Sequence, residues 1–262
     1  MLRTGVSTAC LYPMPVEDAL YELALGGVQQ VEIFLNTHSE LRRSFIMNLA
    51  SLLGRFGVSC SSLHPFTCEM EPLLLFSQYR RRTADAVDYY KHYFSAMQTL
   101  GADVFVLHGN KVTGNNELYF ERFSMLSDIG REFGVTVAQE NVSRCTSRSL
   151  DFLKDMKNAL GDKAKFVLDV KQAVRSGENP FSVLEALGRN IVLVHMSDHG
   201  AMGDCLKIGR GSFRVKDFMK KLSEVNPECP VTLELYRSAF QSVADLLQNY
   251  QVLERMAESI ST

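Results

Sequence analysis

Glu140, Asp169, His195 and Glu234 each close a short hydrophobic run: Glu140 follows VTVAQ, Asp169 follows KFVL, His195 follows IVLV and Glu234 follows VTL. A charged or imidazole side chain at the end of an apolar strand has little structural reason to be there. If the runs are parallel strands closed into a barrel, their C-terminal ends converge on one mouth, where such enzymes place their chemistry. Three carboxylates and one imidazole make an oxygen-rich donor set suited to a divalent metal. The alternative is four unrelated strand-end caps. Two further histidines occupy similar positions: His64 follows SSL, and His108 follows VFVL and precedes Gly109-Asn110. Either alone reads as a hydrogen-bonded structural residue; together, beside the acidic set, they read as lining of the same site. Glu32 alternates with Val31 and Ile33, so it either points into the barrel or is a buried, paired structural acid.

The elements that would position these residues alternate along the chain. Strand-like runs fall at residues 4–8, 30–35, 58–63, 103–107, 135–139, 165–168, 191–194 and 231–233. Several are continuous apolar stretches, as expected of strands buried on both faces. Helix-like segments fall at residues 15–25, 39–56, about 74–100, 117–133, 148–160, 180–187, 215–225 and 239–260. The first opens on Pro15 and stops at Gly26-Gly27, and Gly57, Gly101, Gly134, Gly161 and Gly188 end others; these are helix start and stop signals. The repeated helix–glycine–strand joint is the αβ loop of a βα repeat. Eight strands alternating with eight helices predict an α/β protein with a (β/α)8 TIM-barrel fold, one domain over residues 1–262. A doubly wound open sheet is the rival; its dinucleotide-binding form loses support because no GxGxxG follows the first strand. Residues 69–78 (EMEPLLLFSQ) read as a longer loop into the third helix: a lid, an interface patch, or a helix start packed on the barrel.

A hydrophobic fraction of 46% supports a substantial core, and a net charge of −2 gives no bias toward polyanions, so nucleic acid is not an expected partner. Six scattered cysteines without a CxxC pair point to reduced thiols. The opening MLRTGVSTACLYP lacks the long apolar core of a signal peptide. No run approaches the ~18 apolar residues of a membrane span. The expectation is a cytoplasmic protein without membrane contact; association into a homo-oligomer stays open.

The segment GGVQQVEIF resembles the GxxxVE segment of the sugar phosphate isomerase/epimerase family, within the xylose isomerase-like TIM-barrel superfamily that also contains endonuclease IV. The resemblance runs over nearly the whole chain, through LHP at 63–65, LHGN at 107–110, QENV at 139–142, LDVKQA at 168–173, VHMSD at 194–198, GRG at 209–211 and LELY at 233–236. It implies that Glu140, Asp169, His195 and Glu234 hold one divalent metal ion (Mn2+, Mg2+, Co2+ or Zn2+) and that the substrate is a small carbohydrate. In the ketose epimerases of this group, the residues matching Glu140 and Glu234 also face the substrate from opposite sides. One removes a proton next to the carbonyl and the other returns it to the opposite face, with the metal stabilising the developing oxyanion. Chemistry alone asks for the same parts: a base on each face and a cation at the oxygen.

Three positions depart from the family pattern. Gln172 stands where a His is usual; it can hydrogen-bond a hydroxyl but cannot act as a base or ligand. Thr146 replaces a Glu, and Ala201 replaces an Arg. These changes put ketose 3-epimerisation in question and leave the metal site intact. The alternatives are a keto-polyol dehydratase using the same metal site, an endonuclease IV-like phosphodiesterase that adds His64 and His108 to the acidic set, and a non-catalytic sugar-binding barrel. Gln172, the Asp204-Cys205 pair before GRG and the lack of basic charge stand against the nuclease. Two retained, opposed Glu residues stand against a binding relic. His64, His108 and Gln172 are expected to contact substrate. In the loop over residues 198–213, Lys207, Arg210 and two glycines, joined by Arg237, could hold a phosphate. The plainer reading is a tight turn, and no glycine-rich cradle follows strand eight, which favours a free sugar or sugar acid. Lys171, two residues after Asp169, either reaches the site or, on the plainer reading, points outward into solvent.

Overall fold

The computed structural model describes residues 2–111 and 114–260. The strands are β1 (Thr4–Ser7), β2 (Gln30–Phe34), β3 (Ser59–His64), β4 (Val104–Leu107), β5 (Thr136–Glu140), β6 (Phe166–Asp169), β7 (Ile191–Met196), β8 (Asp198–Gly200), β9 (Gly203–Leu206) and β10 (Val231–Leu233). Eight of them close into an all-parallel barrel in the order β1-β10-β7-β6-β5-β4-β3-β2, while β8 and β9 form a separate antiparallel hairpin in the loop after β7. The expected (β/α)8 barrel is therefore the observed fold.

The helices are α1 (Val16–Leu25), α2 (Arg43–Phe56), α3 (Arg80–Leu100), α4 (Asn116–Glu132), α5 (Leu150–Leu160), α6 (Val170–Arg175), α7 (Pro180–Leu187), α8 (Val215–Val225) and α9 (Val243–Glu258). Strand residues that alternate outward, such as Phe105, Phe166 and Val194, join the large core beneath the helices. Those that alternate inward, Val104, Val106, Ala138, Val167 and Leu193, form a second small cluster that fills the barrel. Phe105 is fully buried and meets the rings of Tyr90 and Phe94 edge-on at 5.6 and 5.4 Å, which docks α3 on β4. Among the described residues no helix is long and apolar enough to cross a membrane.

Two local expectations are corrected. The third helix begins at Arg80 instead of near residue 74, because the apolar run before it folds inward as turns: Leu75 and Phe76 are buried, and Phe76 stacks on Tyr119 at 4.2 Å. The short helix α6 was absent from the expected set. Six residues are too few to show a helical period, yet its start signal is present, since Asp169 Oδ1 accepts the Gln172 N–H at 2.9 Å.

Candidate metal centre

Side-chain alternation delivers the candidate ligands. Ala138, Val167 and Leu193 point into the barrel, and two residues further on Glu140, Asp169 and His195 take the same direction at the mouth. Glu234 stands just beyond β10, its N–H donating to the Met196 carbonyl at 3.1 Å. One oxygen of each carboxylate and one imidazole nitrogen lie within 4.8 Å of one another. His195 Nδ1 sits 3.4 Å from Glu140 Oε1, 3.9 Å from Asp169 Oδ2 and 3.4 Å from Glu234 Oε2.

The supports behind this set are specific. His195 Nε2 lies 3.0 Å from Glu32 Oε2, and the Ser62 and Ser7 hydroxyls donate to the two Glu32 oxygens at 2.8 and 3.0 Å. Glu32 thus points inward and is also a paired, fully buried acid. A proton on Nε2 directed at Glu32 leaves the Nδ1 lone pair facing the three carboxylates, which is how metal-bound imidazoles are commonly oriented. Asp169 is held by its helix-capping bond and by Asn141, which receives the Asp169 N–H at 2.7 Å and donates to the Asp169 carbonyl at 3.0 Å.

The expectation of a solvated Lys171 is wrong. Its side chain is only 4% exposed, with Nζ 2.9 Å from Asp169 Oδ2 and 2.8 Å from Glu234 Oε2. As the second residue of α6 it is carried back over the mouth by the helix turn that Asp169 caps, where two carboxylates receive it. Burial opposes charge here, but Asp169 and Glu234 outweigh it and push the ammonium well above its ordinary range. For Glu234, burial is likewise outweighed by Lys171 and His195, which bring the carboxyl down to about 2. At Asp169, burial wins, with help from the Glu234 and Glu140 charges, and raises the carboxyl to about 7. Burial of His195 is outweighed by Glu32 and Glu234, which push the ring well up.

Three carboxylates crowded away from water call for a cation. Two of their buried oxygens, Glu140 Oε2 and Asp169 Oδ2, complete no hydrogen bond of good geometry. The donor set, with Asp169 Oδ2 facing the centre, fits a divalent ion held by Glu140, Asp169, His195 and Glu234. Beside them a pocket of about 370 Å3 opens between Tyr12, Phe34, Asn36, Lys171, Glu234 and Tyr236. Tyr12, Phe34 and Tyr236 give it aromatic walls, and Asn36, Lys171 and Glu234 its polar groups.

The sequence model of the xylose isomerase-like TIM barrel family matches residues 20–256. The chain belongs to that family. Among solved structures it is similar to a D-tagatose 3-epimerase-like protein, with a TM-score of 0.81, 20% identity, and 99% of this chain and 98% of that chain covered. It is also similar to 3-keto-D-glucoside 4-epimerase YcjR from E. coli in its apo form, with a TM-score of 0.78, 12% identity and coverage of 97% and 100%. A third is the IolI protein with a bound zinc atom, with a TM-score of 0.74, 18% identity and coverage of 99% and 98%. Likenesses at these identities show the shared barrel. None of the curated proteins matches the chain.

Within this xylose isomerase-like barrel the other expected site residues divide. His108 Nε2 approaches Glu140 Oε2 at 2.9 Å and His64 Nε2 at 2.8 Å, so both histidines join the mouth. Cys68 joins His64 and His108 in a second group of possible ligands, one the sequence pattern did not mark. Burial holds His108 below its usual range in spite of Glu140. Gln172 is half-buried and its Oε1 accepts the Ser143 N–H at 3.0 Å, which fixes the loop after β5. Thr146 Oγ1 donates to the Asn110 carbonyl at 3.0 Å, and Ala201 lies exposed between β8 and β9.

Two of the phosphate candidates, Lys207 and Arg237, are engaged within the chain. Lys207 pairs with Asp245 at 2.6 Å, Arg237 donates to the Phe240 carbonyl at 2.9 Å, and Arg210 is exposed. The N–H groups of Gly209, Gly211 and Phe213 converge on the buried Asp198 carboxylate at 2.9, 3.0 and 3.1 Å. A Cβ on Gly211 would come within 2.3 Å of that carboxylate, which is why glycine stands there. The loop is an anion cradle whose anion is part of the chain.

Proposed function

We propose that this protein is a divalent-metal-dependent isomerase or epimerase of an unphosphorylated sugar or sugar derivative, acting by proton transfer at the carbon next to a carbonyl. The observation that carries this reading is the placement of Glu140 and Glu234. They arrive from β5 and β10, three steps apart around the barrel, and each sets one oxygen 3.4 Å from His195 Nδ1. Two carboxylates that converge on one centre from different strands can serve opposite faces of a bound carbon, one accepting a proton and the other donating it. The bound ion would polarise the substrate carbonyl and offset the charge that develops on its oxygen. His108, 2.9 Å from Glu140, orients that carboxylate, and Glu234 reaches the aromatic-walled pocket directly. The structural relatives include D-allulose 3-epimerase from Methylomonas sp. in complex with D-allulose, which supports a sugar as the ligand class. Occupation of the Gly209–Phe213 cradle by Asp198 supports a substrate without phosphate.

The test is solvent-deuterium exchange on a panel of free ketoses and keto-acids, with metal-loaded protein. Incorporation at the carbon beside the carbonyl is expected, with loss in both Glu140→Gln and Glu234→Gln. Exchange that survives both changes would sink the assignment. A second reading rests on His64, Cys68 and His108, which could hold another ion next to the tetrad; two such ions would suit hydrolysis of a phosphodiester. Metal stoichiometry separates the two: one ion per chain retained in His108→Ala supports the isomerase, and two ions falling to one supports the hydrolase.

A further inference from the structure

Lys171 touches two of the three oxygens that face His195 Nδ1. Its Nζ is 2.9 Å from Asp169 Oδ2 and 2.8 Å from Glu234 Oε2, and those atoms are 3.9 and 3.4 Å from the imidazole nitrogen. A metal ligated by this set would therefore share both oxygens with the ammonium. On the far side, Lys171 Nζ lies 5.0 Å from the centre of the Tyr236 ring, and the Arg175 guanidinium lies 5.0 Å from it as well. Arg175 is in turn paired with Asp204 on β9 and donates to the Tyr236 hydroxyl at 2.6 Å. The tyrosine face that receives the ammonium is thus itself held in place.

We infer that Lys171 is an internal counter-cation that competes with the metal and sets how tightly the site holds it. This rests on the tetrad being the metal site. Without an ion, the ammonium neutralises part of a buried carboxylate cluster that would otherwise repel itself. With an ion present, like charges face each other across Asp169 and Glu234, so the ammonium weakens binding or withdraws along its flexible stem toward Tyr236 and the pocket. The charge count agrees with one divalent ion. Three ligand carboxylates and one ammonium leave two negative charges, which a single divalent ion cancels; without Lys171 the loaded ligand set would stay anionic. Lys171 also lines the pocket beside the tetrad.

The experiment is Mn2+ titration by calorimetry into chelator-stripped wild type, Lys171→Met and Lys171→Arg, with thermal melting of each in stripped and loaded form. Lys171→Met is expected to bind Mn2+ at least about tenfold more tightly and to melt lower when stripped, so that loading raises its Tm by more than in wild type. Lys171→Arg should stay close to wild type. Unchanged or weaker binding in Lys171→Met overturns the inference, as does equal tightening in Lys171→Arg, which would trace the effect to the stem and not the charge. A wild type that binds no Mn2+ overturns the metal site itself, a different failure. If Lys171→Met does not fold, Lys171→Gln is read the same way. In unaltered protein with 13C-lysine, Mn2+ should broaden one Cε resonance ahead of all others, and a uniform response would refute the contact.

Discussion

Replacing Glu32 by Gln tests how the candidate metal centre orients the imidazole of its tetrad. Glu32 is fully buried and receives three polar contacts, from Ser7, Ser62 and His195, at 3.0, 2.8 and 3.0 Å. Gln keeps the shape and can still meet all three, since hydroxyls rotate to suit either end of the amide. What it loses is the negative charge that favours a proton on His195 Nε2 and so a lone pair on Nδ1. A hydrogen bond to a charged group contributes ~1.5–3 kcal/mol. If most of that energy serves to orient and polarise the ligand, metal affinity should fall by roughly 10- to 100-fold, at about 1.4 kcal/mol per decade. Stability should change little, by ~1 kcal/mol, or a melting shift of roughly 2–4 °C. Calorimetric titration of stripped Glu32→Gln with Zn2+ and Mn2+ reads the first, and thermal denaturation the second. A dissociation constant within about threefold of wild type, in a folded variant, would refute the role given to Glu32. A collapse in stability with normal affinity would make it a purely structural acid.

Three further outcomes follow from contacts outside the tetrad. Glu71 is fully buried with one oxygen accepting the Gly109 N–H, and burial, against that bond, pushes its carboxyl well above the ordinary value. Because the folded state holds this proton more tightly than the unfolded chain, its contribution is complete below the unfolded carboxyl value of 4.5 and is lost as pH rises through the folded one. Glu71→Gln should therefore flatten that decline in Tm, each tenfold change in proton affinity being worth about 1.4 kcal/mol; identical pH profiles would contradict it. Asp198→Ala should cost ~2–4 kcal/mol by stranding the N–H groups it collects, seen as a lower denaturation midpoint and faster proteolysis of residues 198–213; a loss below about 0.5 kcal/mol would contradict it. Lys207→Ala and Arg237→Ala should leave kcat/KM on the preferred substrate within about threefold, whereas a tenfold loss confined to phosphorylated substrates would restore the phosphate assignment.

The barrel was legible because each βα repeat carries its own punctuation: an apolar strand, a helix with a glycine stop, and the next strand. The tetrad was legible because a charged residue at an apolar strand end is conspicuous and parallel strands bring such ends together. What escaped lies where a residue's direction depends on its neighbours. Lys171 follows Asp169 by two residues, and alternation alone gives no account of it, since the chain has already turned into a helix whose first turn bends the side chain over the mouth. The β8–β9 hairpin is too short and polar for a strand signal. The glycines of GRG looked equally suited to a foreign anion and to an internal one, and only the fold shows that Asp198 fills the cradle. Glu71 sits in a stretch whose apolar residues suggested a lid, and nothing in its local sequence marks a carboxyl buried against the β4 end.

Asp169 spends one oxygen starting α6 while the other faces the centre. The carboxylate cannot swing outward without giving up the helix start, nor can its backbone move without breaking the paired Asn141 contacts. His195 is similarly pinned from behind by Glu32. Two of the four donors are therefore held in position by the fold itself, and a site with such restraints would resist dilating around a large ion. Small ions with bonds of ~2.0–2.2 Å to oxygen or nitrogen can be enclosed, whereas Ca2+, which needs ~2.3–2.6 Å and more ligands, would have to prise the helix start open. If the tetrad holds the proposed ion, the first turn of a six-residue helix would favour small ions over large ones.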